Sequence, residues 1–214
     1  MKERYKRQYD LIDESKTQLK INVIGCGGIG SFVTLGLAKM GFKNISVYDF
    51  DEVEDHNVAS QFFKEDQLGE FKTIALQKNI QEQTGITINP YNLPIEEVNL
   101  STTPNLTIIA VDSMEVRNNL AQKYKENENM YIIDGRMGGL QLEIYNCPAK
   151  EYHKTIVENN QVSHEPCTAK AISFNCMVIG GFISNLVRQF INNKLDPSLM
   201  IYLFDSNTLL KKQL

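Results

Sequence analysis

Lys20-Ile21-Asn22-Val23-Ile24-Gly25-Cys26-Gly27-Gly28-Ile29-Gly30-Ser31 is the stretch that decides the fold. An apolar run ends in glycines at positions 25, 27 and 30. An apolar helical stretch follows, and then a second apolar run that ends in the acids Asp49 and Asp51. That order spells strand, tight turn, helix and second parallel strand. In such a unit Gly25 allows the turn, Gly27 lets a phosphate approach the backbone, and Gly30 lets the helix pack on the strand. The helix N-terminus offers free N–H groups and the positive end of its dipole to an anion. An acid closing the second strand can accept hydrogen bonds from ribose hydroxyls. The pattern points to a nucleotide, with NAD, FAD and ATP all compatible. The glycines alone also fit a tight turn that binds nothing.

The 214 residues suffice for one good core, or one core and a small appendage. A net charge of −4 argues against a nucleic-acid groove, although Lys2-Glu3-Arg4-Tyr5-Lys6-Arg7 is locally positive. No apolar stretch is expected to reach the roughly 20 residues that span a bilayer. The charged first residues are unlike a signal peptide. Cys26, Cys147, Cys167 and Cys176 are irregularly spaced. They read as reduced thiols in a cytoplasmic protein rather than a disulfide framework.

Working outward, residues 4–19 read as an N-terminal arm with one or two helical turns. Strands are expected at 20–25, 44–49, 86–91, 106–111 and 130–134, and helices at 29–40, 69–83 and 114–126. Residues 51–67 are polar and read as a long loop, a length that is usually functional. After the fifth strand, 135–139 turn the chain into 140–145, whose alternation suits an antiparallel hairpin. Residues 146–166 read as a crossing loop, 167–192 as a long apolar helix for a core or a dimer interface, and 200–204 as a final strand. The fold class is α/β: a Rossmann-like, doubly wound, mostly parallel sheet with an added antiparallel hairpin and a long C-terminal helix. No linker divides the chain, so one domain is expected over 1–214, with its nucleotide-binding core at 20–134.

Further residues carry a resemblance. Tyr48-Asp49-Phe50-Asp51-Glu52-Val53-Glu54-Asp55-His56-Asn57-Val58-Ala59-Ser60-Gln61 resembles the ThiF/MoeB/ubiquitin-activating superfamily. In that motif an acid, any residue and an acid precede an Asn and an Arg-Gln pair. Arg4-Tyr5-Lys6-Arg7-Gln8 is similar to the family's N-terminal signature, and Gly69-Glu70-Phe71-Lys72 to its Gly-x-x-Lys. Val111-Asp112-Ser113 with Arg117 is similar to its Asp-Asn…Arg stretch. The matches keep the family's order over residues 4–145.

The resemblance implies an adenylyltransferase, a ubiquitin-like modifier activating enzyme that uses ATP and Mg2+. It would adenylate the C-terminal glycine carboxylate of a ubiquitin-like protein or peptide and release pyrophosphate. The implied nucleotide site is Gly25, Gly27, Gly28 and Gly30 of the loop, with Asp49, on the ribose, and Asp51. Asn57, Gln61 and Lys72 are implied phosphate contacts. Asp112 is the implied metal ligand, and Arg7 reaches the γ-phosphate from the neighbouring subunit of a homodimer. Pro166-Cys167-Thr168 resembles the surroundings of the thioester cysteine in ubiquitin-activating enzymes, which adds Cys167 to the catalytic set of Arg7, Lys72 and Asp112. Further partners would be a conjugating enzyme or a sulfur-transfer protein, with no nucleic acid and no membrane.

The chain departs from the family at two places. Ser60 stands where the family has Arg, and Arg136, in the turn after the fifth strand, is a candidate to replace that charge. The paired Cys-x-x-Cys motifs are absent. His164-Glu165-Pro166-Cys167 is one incomplete pair, so no structural zinc is expected. Other readings stand beside these. Asp112 also suits the N-cap of the helix at 114. Lys72 also suits a solvated helix face, Arg4 and Arg7 an ordinary charged arm, and Cys167 a packing role at a helix start. Cys26, Cys147 and Cys176 read as structural, and His56 and His153 as surface histidines. A NAD-dependent oxidoreductase and a catalytically degenerate module that docks a ubiquitin-like partner are the rival functions.

Overall fold

The computed structural model describes residues 3–97, 100, 105–157 and 171–214. Eight strands form one sheet in the order β3-β2-β1-β4-β5-β6-β7-β8. β1 (Ile21–Ile24), β2 (Ile45–Tyr48), β3 (Asn89–Tyr91), β4 (Asn105–Ile109) and β5 (Met130–Gly138) are parallel. β6 (Gln141–Pro148), β7 (Ser198–Leu203) and β8 (Thr208–Gln213) continue the sheet antiparallel. β1 has β2 on one side and β4 on the other. The chain therefore reverses its winding there and leaves a crevice at the carboxyl ends of these strands, where open α/β sheets bind ligands.

Alternate strand residues feed two cores, as a sheet covered on both faces requires. Val23, Val47, Ile108 and Ile133 meet α1 (Gly28–Lys39), α3 (Lys72–Thr84) and α6 (Ser173–Ile191) on one face. Ile24, Tyr48, Ile109 and Ile132 meet α4 (Met114–Tyr124) and α5 (Ala149–Val157) on the other. α1 and α6 approach closely along a seam spaced by four, with a glycine on one side of each contact: Gly28 on Cys176, Phe32 on Gly180, and Gly36 on Ser184. A Cβ on Gly28 would stand 2.7 Å from Cys176 Sγ, and one on Gly180 2.9 Å from Phe32 Cβ. The pairing runs in the same direction on both helices, so α6 starts beside the glycine loop.

Several expectations are corrected. The loop at 51–67 holds a one-turn helix, α2 (Asp55–Val58), and a 3-10 turn at Glu65–Gln67. Capping bonds local to these turns stabilise them without any apolar periodicity. β5 runs on to Gly138, so Arg136 lies in a strand and not in a turn. The expected crossing loop instead opens with the end of β6 and then α5, which buries Ala149, Tyr152 and Thr155 at threefold spacing. β8 was not expected; its exposed Leu209, Leu210 and Lys211 do not alternate, and it is held by backbone pairing to β7. Among the described residues, α6 has the length and apolarity of a membrane span, contrary to the expectation of none. Half of that stretch is buried, and it packs along α1.

Candidate functional site

Gly25, directly after β1, has φ +91°, which only glycine adopts at little cost. A Cβ there would lie 2.6 Å from the Ala110 carbonyl oxygen, and one on Gly30 would lie 1.8 Å from the Gly25 oxygen. These two glycines let the loop, helix α1 and the end of β4 close on each other. Gly27 differs: the nearest atom to its Cβ position is Gln61 Nε2, 3.9 Å away. The backbone of Gly27 therefore faces open space at the N-terminus of α1, the geometry an anion needs.

Asp49, after β2, ties the loop together. Its Oδ2 accepts from Cys26 N at 2.6 Å and its Oδ1 from Asp51 N at 2.9 Å. Burial raises its pKa above the ordinary aspartate value, against the pull of those two N–H groups. Asp51 in turn holds Lys72, with Lys72 Nζ 2.8 Å from Asp51 Oδ2 and Lys72 N 2.9 Å from Asp51 O. Lys72 is no solvated helix residue, for only 10% of its side chain is exposed. It is the first residue of α3, where the dipole disfavours a cation. The carboxylate of Asp51, itself 52% exposed, holds the ammonium there.

Gln61 faces the same loop, and Asn57 lies one helical turn before it, its carbonyl accepting from Gln61 N at 2.8 Å. Asn57 is buried, and its Oδ1 accepts from Glu54 N at 2.9 Å. That leaves its NH2 without a partner among the described residues. Gln61 Oε1 is buried without a hydrogen bond. Ser31 Oγ accepts from Phe62 N at 3.1 Å and pins this segment to α1. Ser60 is buried and supplies no charge.

On the other side of the crevice, Asp112 follows β4. It is exposed and makes no hydrogen bond or ion pair among the described residues. It is not the N-cap of α4: Ser113 is, accepting from Val116 N at 3.2 Å. A free carboxylate at the end of a central strand fits Mg2+, which takes one or two protein carboxylates and fills its shell with phosphate oxygens and water. No cluster of three or more metal-ligating side chains exists among the described residues.

Behind Asp112 lies a buried ionic network that the sequence reading missed. Asp134 accepts from Arg117 Nε at 3.1 Å, Arg136 Nε at 2.7 Å and Tyr152 OH at 2.9 Å. Burial alone would raise the Asp134 pKa, but the guanidinium groups of Arg136 and Arg117 hold it below the usual value. Arg136 also donates to Thr155 Oγ1 at 3.2 Å and stacks 4.2 Å over Tyr145. It is engaged here, so it does not stand in for the arginine missing at Ser60. Arg117 had a signal in its spacing from Asp112. Tyr152 had none, because its helix read as loop.

Arg7 lies elsewhere in its own chain. The arm forms 3-10 turns at Glu3–Gln8 and Glu14–Gln18. Gln8 Nε2 donates to Met40 O at 2.7 Å, Arg4 Nη1 to Thr84 O at 2.5 Å, and the Tyr5 ring covers Gly41. The Gln8 and Tyr5 anchors sit at the far end of α1, whose 12 residues span about 18 Å, and the Arg4 anchor at the end of α3. Arg7 is exposed and does not reach the glycine loop of the same chain. Cys167 and His164 lie outside the described residues. Cys26, Cys147 and Cys176 are free and buried. Burial pushes the thiol of Cys147 up to about 12 and that of Cys176 to about 11, and raises that of Cys26 well above its ordinary value. His56 is exposed beside Glu54, whereas His153 is half-buried with an unpartnered Nδ1, against its reading as a surface histidine.

Comparison with known proteins agrees with this layout. A model of the ThiF family matches residues 5–212. The NEDD8-activating enzyme E1 catalytic subunit of Arabidopsis thaliana is 34% identical over 111 residues, which are 50% of this chain and 24% of that protein. The adenylyltransferase and sulfurtransferase MOCS3 of Xenopus laevis is 33% identical over 104 residues, 45% of this chain and 23% of that protein. The matched stretches thus span about a quarter of the length of these relatives. Among solved structures, E. coli MccB with ATP aligns at a TM-score of 0.78 and 19% identity over 100% of this chain and 72% of that one. PaaA aligns at 0.77 and 17% identity over 99% of this chain and 82% of that one. At such identities the two structures share the fold.

Proposed function

The chain belongs to the ThiF family, and from that premise we propose that it is an ATP-dependent activating enzyme that adenylates the C-terminal carboxylate of a ubiquitin-like protein or peptide. The observation that carries the proposal is the convergence at the switch-point crevice. The open glycine loop after β1, Asp49 and the Asp51-held Lys72 beside β2, and the unpartnered Asp112 after β4 stand at the same end of three adjacent strands.

In this reading Asp49 accepts from the ribose hydroxyls, and Gly27, Gly28 and the first turn of α1 present N–H groups to the phosphates. Asn57, Gln61 and Lys72 donate to phosphate oxygens. The substrate carboxylate oxygen attacks the α-phosphorus and forms the acyl-phosphate bond. The bond to the β-phosphate breaks, and pyrophosphate leaves with the electron pair. Asp112 would hold Mg2+, which supplies charge neutralisation on the leaving phosphates. Fixed donors aimed at developing charge, together with two reactants held side by side, are the chief sources of rate here.

The partner is proposed from the relatives, whose names include NEDD8- and ubiquitin-like modifier-activating enzymes, and from MccB, which was solved with MccA. The absence of arginine at Ser60 and the exposure of Arg7 favour a homodimer in which the second subunit supplies Arg7. A transfer of the acyl group to Cys167, and hand-over to a conjugating enzyme or a sulfur-transfer protein, are finer steps of the same proposal. The buried, high-pKa thiols of Cys26, Cys147 and Cys176 make poor alternatives to Cys167. Free cysteines also suit the proposed cytoplasmic location.

Ser60 also supports a second reading, a module that binds nucleotide and partner without chemistry. ATP–pyrophosphate exchange with a panel of glycine-terminated ubiquitin-like proteins and peptides decides between them. Exchange that depends on one panel member and is lost in Lys72→Ala is the expected result. ATP binding with no exchange across the panel favours the second reading. Binding of NADH in place of ATP would restore the oxidoreductase.

A further inference from the structure

Arg117 is fully buried, and a buried guanidinium needs a reason, because a well-packed apolar side chain is often as stabilising in its place. The reason lies where β4 leaves the sheet. The β4–β5 ladder ends at Ile109 paired with Asp134. Beyond it no pair continues between β4 and β5, although Gly135 stays paired with Ile144 of β6. Arg117 Nη2 donates at 2.5 Å to Val111 O and at 3.1 Å to Gly135 O. Its Nε is fixed on Asp134, which Arg136 and Tyr152 hold from the other side. The Ala110–Val111 peptide is also the surface on which Gly25 rests, with Val111 N 3.1 Å from the Gly25 Cβ position. Two successive peptides are thus held, Ala110–Val111 by its packing on Gly25 and Val111–Asp112 by the Arg117 fork, and the second one carries Asp112.

We propose that Arg117 is the positioning residue of the metal-binding carboxylate: by holding the carbonyl of the Val111–Asp112 peptide, next to the peptide that packs on Gly25, it sets Asp112 relative to the phosphate loop. This rests on the functional reading above for Asp112 but not for the clamp itself. A planar fork is what the task needs, because a lysine in its place keeps the charge but cannot hold two carbonyls and a carboxylate in one geometry. The Tyr152 hydroxyl makes α5 part of the clamp, so a change in that helix reaches Asp112 through Asp134.

The test uses the full chain and the variants Arg117→Lys and Tyr152→Phe, each first checked by thermal unfolding. Amide hydrogen exchange of Val111–Ser113 in the free protein reads the clamp without any ligand. Arg117→Lys is expected to speed it at least tenfold while β1 and β6 keep their protection. With ATP present, calorimetric titration with Mg2+ should show 10–100-fold weaker metal binding, the usual cost of losing an outer-shell partner. ATP affinity without metal should stay within about twofold. Tyr152→Phe should move both readouts in the same direction by a smaller factor, at least about threefold, and it decides the matter if Arg117→Lys does not fold. Unchanged protection at 111–113, or unchanged Mg2+ affinity with faster exchange, overturns the proposal. Wild-type protein that binds no ATP with Mg2+ overturns the functional reading instead, and the exchange rates still report whether Arg117 holds the loop.

Discussion

Lys72 shows most directly what single residues contribute. An ammonium at the start of α3 sits against the helix dipole and is held there by a half-exposed carboxylate. Asp51 is half-exposed and stays hydrated without its partner, so removing the buried ammonium leaves no buried charge unpaired and costs little stability. Lys72→Met should therefore change urea-unfolding stability by less than about 1 kcal/mol. It should lower pyrophosphate exchange roughly 100-fold, as loss of a preorganised donor does. An equal loss of both would make Lys72 a structural residue. Asp134 behaves in the opposite way. Asp134→Asn leaves two buried guanidinium groups around a neutral side chain and should cost about 3–5 kcal/mol at pH 7. The native carboxyl is held below 3.8, so its contribution is complete above that value and is lost as pH falls through the lowered native pKa. The stability gap between wild type and variant should therefore be constant near neutrality and shrink below about pH 3.8. A gap independent of pH would show that the carboxylate is not what stabilises the network.

At the scale of elements, the glycine loop separates two roles that the same residue type plays. Gly30→Ala drives a methyl group into the Gly25 carbonyl at 1.8 Å and should destabilise by at least about 3 kcal/mol. Gly27→Ala meets nothing closer than 3.9 Å and should keep near-wild-type stability, yet weaken ATP binding tenfold or more because the methyl occupies the phosphate approach. Thermal unfolding and calorimetry on the two variants check the contrast. This loop was legible in the sequence because strand, glycines and helix each leave a separate mark, and β1, α1 and β2 stand close to their expected places. α5 was not legible. Its buried face is Ala149, Tyr152 and Thr155, too polar to register as a periodic apolar stripe. β8 was hidden because it is held by the ladder to β7 and buries little of its own. The same blindness applies to the site. Asp49, Lys72 and Asp112 each had a motif, whereas the Asp134 network is assembled from three elements and exists only once they pack. Ser113 took the capping role that Asp112 also fitted by spacing, and only the structure separates adjacent residues of equal propensity.

Across the whole molecule, the arm and the crevice lie at opposite ends of α1, so one chain cannot bring Arg7 to its own phosphates. If the proposed homodimer supplies it, Arg7→Ala and Asp112→Ala subunits should each be inactive alone. Mixed and allowed to exchange, they should recover about a quarter of wild-type exchange activity, from one intact site in the half of dimers that are mixed. A monomer at working concentration with full activity would remove the second subunit from the account. The exposed Phe174 and Met177 on α6 run beside the glycine loop and are available to such an assembly. The central claim, that the crevice is built for ATP with a metal on Asp112, is tested most directly by calorimetric titration of wild type and Asp112→Ala with ATP, with and without Mg2+, and with NADH. The account predicts that wild type binds ATP more tightly with Mg2+, that Asp112→Ala binds ATP without that gain, and that NADH gives no heat of binding. NADH binding by wild type with no response to ATP would contradict it.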